Sequence, residues 1–166
     1  MTLSAVNDGA RMASSALGDV GGLLQSLGEM RRLGLTPDVL PYEAHRRVLL
    51  VCDATVLPGM VTSSSFGASP PVHCNIIIMS DVIVVKQQRQ IAVFYTASTL
   101  VVRVRGISGH DYVVSVRSSR DKSNQSIISL ASEEDLQGIM KCYMMCVRQC
   151  EEVGVTPYSR AEEAAC

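Results

Sequence analysis

The sequence predicts an α+β domain in which a seven-stranded antiparallel sheet or barrel is followed by a C-terminal amphipathic helix and preceded by an extra N-terminal helix. Three observations predict it. Between Arg46 and Leu130, short β-branched apolar runs are separated by turn chemistry with no helical pattern between them, as in antiparallel strands rather than βαβ units. From Ser132 onward the apolar residues return with helical spacing. Before Leu35 a third pattern holds, a stripe with alternating steps of four and three.

That stripe is Val6, Ala10, Ala13, Leu17, Val20, Leu24 and Leu27, the seam expected of a coiled coil or of a helix docked on a surface. Its glycine content weakens the helix, since each interior glycine costs up to about 1 kcal/mol relative to alanine. The segment therefore needs something to pack on: its own domain, a copy of itself in a homodimer, or a helical partner. Gly34 is placed to cap the helix and Pro37 to stop it. The expected layout is an N-terminal helix over 1–36, a linker over 37–45, the main domain over 46–154 and a tail over 155–166.

In the main domain, "RRVLLVCDATVL" reads as the first strand and "PGMVTSSSFGASPP" as a loop. "VHCNIIIMSDVIVVKQQRQ" reads as two strands, about Val72–Met79 and Val82–Lys86. Ile76, Ile77, Ile78, Val82, Ile83, Val84 and Val85 are all β-branched, which disfavours helix and favours strand. Ser80 and Asp81 supply turn chemistry between them. "IAVFYTA", "TLVVRVR", "DYVVSVR" and "SIISL" are the remaining strands. In the second of these, Val102 and Val104 alternate with Arg103 and Arg105, predicting a dry face of valines and a wet face of arginines. The final helix opens at Ser132 with Asp135 three residues on, a capping-box pattern, and Glu133 and Glu134 suit its positive dipole end. Leu136, Met140, Tyr143, Val147 and Cys150 fall on one face, and Gly154 can end the helix.

Composition bounds the function. The chain has 166 residues, is 47% hydrophobic and carries a net charge of -1, which suits one cored domain and gives no general affinity for nucleic acid. The charge is uneven: Arg46 to Leu130 holds nine Lys/Arg against four Asp, and Ala131 to Cys166 holds three against seven Asp/Glu. Such polarity steers charged partners. No secretory signal or apolar run long enough to span a bilayer is visible, so the expectation is a cytoplasmic protein with reduced thiols, at most peripheral to a membrane or the cytoskeleton.

No catalytic constellation is visible. His45, His73 and His110 lie in separate segments outside any HExxH, CxxC or GxSxG context. Cys142, Cys146 and Cys150 recur every fourth residue, a spacing better suited to a helix face than to a metal site. The expectation is a non-enzymatic protein without metal or cofactor.

The order of elements, with "NIIIMSDVIVVKQ" and "SIISLASEEDLQGIMKCYMMCV", resembles the pleckstrin-homology (PH) superfamily: a bent seven-stranded antiparallel barrel capped by a C-terminal amphipathic helix. The layout is similar to the PH domain of an exocyst subunit, in which a helical segment also precedes the domain, and to the PH domains of Rho exchange factors. The resemblance covers Arg46 to about Val153. It departs from the family in having no Trp, with Ile139 in that place, and in having no Lys or Arg in "LPGMVTSSSFGASPPVH", the loop on which phosphoinositide-binding members carry cations.

The resemblance implies an interaction module: a scaffold or adaptor for protein partners, a small GTPase or a subunit of a helical assembly among them, in a tethering or cytoskeletal complex near a membrane. The alternative is recruitment to anionic phospholipid through a rim of Lys86, Arg89, Arg117, Arg120 and Lys122 on loops that the PH layout gathers at the open barrel end. Each cation near an anionic leaflet contributes about 1 kcal/mol, enough for weak association without a headgroup pocket.

Overall fold

A computed structural model describes residues 24–57, 71–120 and 124–154. The chain divides into two compact units, Met1–Val48 and Leu49–Cys166.

In the first unit, helix α1 is described over residues 24–32. Gly34 ends it with φ 70°. The Gly34 N–H donates to the Arg31 carbonyl at 3.0 Å and the Leu35 N–H to the Met30 carbonyl at 2.8 Å. This paired closure needs a left-handed residue, which glycine adopts without a Cβ penalty. The glycine takes the capping role its position predicts. Leu35 and Met30, the two ends of the second bond, are both buried. Farther along, the Arg46 guanidinium donates to the Pro41 carbonyl and the Val48 N–H to Glu29 Oε2.

The second unit is one seven-stranded sheet. Its strands are β1 (Val48–Val56), β2 (Val72–Met79), β3 (Val82–Gln87), β4 (Ile91–Tyr95), β5 (Thr99–Val104), β6 (Val113–Ser118) and β7 (Gln125–Leu130). They lie in the order β4-β3-β2-β1-β7-β6-β5, so β1 joins the two halves and β4 and β5 are the open edges. The β2–β3 hairpin turns at Ser80–Asp81 and pairs Ile78 with Ile83, Ile76 with Val85 and Asn75 with Lys86. β1 pairs antiparallel with β7, Ala54 opposite Leu130 and Val56 opposite Ile128. A 3-10 turn at Thr96–Ser98 carries the chain from one edge strand to the other.

Helix α2 (Glu133–Glu152) follows. Ser132 caps it as its position predicts, its Oγ accepting the Asp135 N–H at 3.2 Å. The buried face is Leu136, Ile139, Tyr143, Cys146 and Val147. Met140 and Cys150, expected on that face, stand half-buried at its margin, and Ile139 and Cys146 lie fully inside. Ile139 occupies the core, as its assigned place predicts. The Tyr143 hydroxyl donates to the Thr99 carbonyl at 2.9 Å and the Cys146 thiol to the Met79 carbonyl at 3.4 Å, so the polar atoms this face carries inward are satisfied. The core inside the sheet joins Ile76, Ile78, Ile83, Val85, Phe94, Val101, Val114, Val116 and Ile128 to that helix face.

The parity of β5 differs from its expected pattern. Val101 packs in the core at 2% exposure, and Val102 is 41% exposed. Arg103 therefore shares its side of the strand with Val101. It reaches the start of α2, where its two terminal nitrogens lie 3.1 and 3.2 Å from the Glu133 carboxylate. The valines at 102 and 104 are the outward set. An arginine can point inward here because the strand ends beside a carboxylate on the first turn of the helix.

Candidate interaction surfaces

Two surfaces of the sheet stand out, one at its mouth and one on its outer face. The mouth lies at the Gln87 end of β3. The opposite end of the β2–β3 hairpin is where Met79 receives the Cys146 thiol. The Gln87 N–H donates to the Gln90 carbonyl at 2.8 Å and closes the β3–β4 turn. A cavity of about 540 Å³ is lined there by Gln87, Gln90, Ile91 and Ala92 together with Val56, Asn124, Gln125 and Ser126. The β3–β4 turn and the start of β7 therefore share one opening, edged by neutral amides.

None of the predicted cations among the described residues lines this cavity. Arg89 is exposed on the β3–β4 turn and Arg120 is exposed just beyond β6. Lys86 is half-buried opposite Asn75 and lines a separate groove of about 370 Å³ with His73 and Gln88. There Asn75 Nδ2 donates to Asp53 Oδ1 at 2.6 Å, and His73 Nε2 lies 3.5 Å from the same oxygen. Arg117 is half-buried between Leu100 and Gln125, in register with both. Lys122 lies outside the described residues.

The second surface is the outer face of β5–β6–β7. Register places Leu100, Val102 and Val104 opposite Arg117, Ser115 and Val113. It places Ser115 opposite Ile127 and Arg117 opposite Gln125. A groove of about 330 Å³ results, lined by Leu100, Val102, Val104 and Ile127 with Ser115, Arg117 and Gln125. Ser115 is its floor: a small residue between taller aliphatic neighbours, 5% exposed, its Oγ accepting from Gln125 Nε2 at 2.9 Å. Among the described residues, no acidic one lines the groove. A signal for it exists in the sequence. Leu100, Val101, Val102 and Val104 are aliphatic on both strand parities, so one set had to face away from the core.

Of the N-terminal stripe, Val6, Ala10, Ala13, Leu17 and Val20 lie outside the described residues. Leu24 is exposed and Leu27 half-buried. On α2, Cys146 is buried and Cys142 and Cys150 are half-buried; the described residues hold no cluster of three or more His, Cys, Asp or Glu able to bind a metal. Burial pushes the Cys74 and Cys146 thiols up to about 11, the nearby Asp53 adding to the first and Cys142 to the second. These are inert core thiols at neutral pH. No helix among the described residues is long and apolar enough to cross a membrane.

No protein-family model matches the sequence, and no curated protein matches it. Solved structures do. The C-terminal domain of an unknown protein from Leishmania infantum matches with a TM-score of 0.50 at 10% identity, over 70% of this chain and 96% of that one. The apo structure of the activated truncation of Vav1 matches at 0.49 and 11% identity, over 82% of this chain and 38% of that one. The DH/PH fragment of PDZRHOGEF in complex with human RhoA matches at 0.45 and 12% identity, over 73% and 32%. This chain thus spans well under half of either exchange-factor fragment. In strand order, open-edged antiparallel sheet and C-terminal helix, it carries a pleckstrin-homology-like fold.

Proposed function

We propose that this domain is a non-enzymatic scaffold or adaptor module that binds a protein partner. The observation that carries the reading is the apolar groove on the outer face of β5–β6–β7, with Val102 at 41% exposure beside Ile127 and above Ser115. An aliphatic depression on an edge sheet is a surface that gains from being covered by protein. The N-terminal stripe from Val6 to Leu27 offers a second docking element, for a helical assembly subunit or a second copy. A small GTPase is one partner class to present to the domain. The test is affinity capture with the wild-type chain and with Val102→Glu, both checked for native circular dichroism. A reproducible set of proteins lost only with the variant supports the reading. An identical set with both overturns it.

A second reading has its own observation. Arg89 and Arg120 are exposed, on the β3–β4 turn and just beyond β6, and Lys86 and Arg117 lie on β3 and β6 themselves. In this reading the rim, extended by Lys122, meets anionic phospholipid without a headgroup pocket. Co-sedimentation with phosphatidylserine-containing vesicles decides it. Binding that falls as salt approaches the physiological ~0.15 M, and that is absent from a Lys86→Glu, Arg89→Glu, Arg120→Glu variant, supports a membrane-recruitment role. Equal binding to neutral vesicles, or none, removes it.

A further inference from the structure

We draw no further inference here: the strongest candidate, the apolar groove on the outer face of β5–β6–β7, is the surface already described, and nothing in the structure shows what covers it.

Discussion

The two faces of β5–β6–β7 are built from the same residue types and serve opposite ends. On the inner face Val101, Val114, Val116 and Ile128 are buried in one core with Leu136, Ile139 and Tyr143 of α2. On the outer face Leu100, Val102, Val104 and Ile127 line a groove. Val101 and Val102 are chemically identical neighbours, at 2% and 41% exposure. Side-chain identity does not separate them; strand parity and the arrival of α2 on one side do. The inner set buries its apolar surface on folding, and the outer set leaves part of its own, Val102 above all, in solvent.

The sharpest way to break this contrast is to remove the same kind of atom from each side. Ile128→Ala empties a fully buried site and should cost about 2–5 kcal/mol in urea unfolding. A loss below about 1 kcal/mol would mean that the inner face is not close-packed. A smaller effect sharpens the inner side through pH. The Cys74 and Cys146 thiols are raised to about 11 in the folded chain from an ordinary value of 9.0. The unfolded chain releases these protons first, so stability is full below about pH 9 and falls as pH rises through about 11. Cys74→Ala, Cys146→Ala should flatten that alkaline slope in pH-dependent urea melts; an unchanged slope would show the thiols to be solvated. The smallest effect is expected outside. Val102→Ser should shift stability by no more than about 0.5 kcal/mol while reducing capture of the partner. A cost matching Ile128→Ala would show the groove to be a packed part of the domain.

The readable parts of the fold were those in which one local signal decided the outcome. The hairpin of β2 and β3 follows from seven β-branched residues divided by Ser80–Asp81, and β3 runs one residue beyond its expected end, to Gln87. Helix α2 follows from Ser132, its acidic first turn and its apolar spacing. At β5 the local signal is ambiguous, because aliphatic residues occupy both parities. Only the pairing of Arg103 with Glu133, thirty residues away in sequence, assigns the faces. The surfaces were harder for the same reason. The groove needs three strands in register before Val102, Ser115 and Ile127 become neighbours. The cations sit at strand ends and turns, where alternation gives no direction: Lys86 faces Asn75 across the hairpin, and Arg117 faces Leu100 and Gln125. Sequence names such residues without saying which opening or face each one borders.

The pairing of β1 with β7 bears on how the chain is made. Ala54 and Val56 find their partners, Leu130 and Ile128, only in the last strand, and Tyr143 and Cys146 then bond back to Thr99 and Met79 across 44 and 67 residues. During synthesis the first strand and the β2–β3 hairpin emerge well before anything can close the core. The newborn domain carries its Ile- and Val-rich strands half-finished until α2 clears the ribosome, and a chaperone that holds such strands has its longest opportunity then.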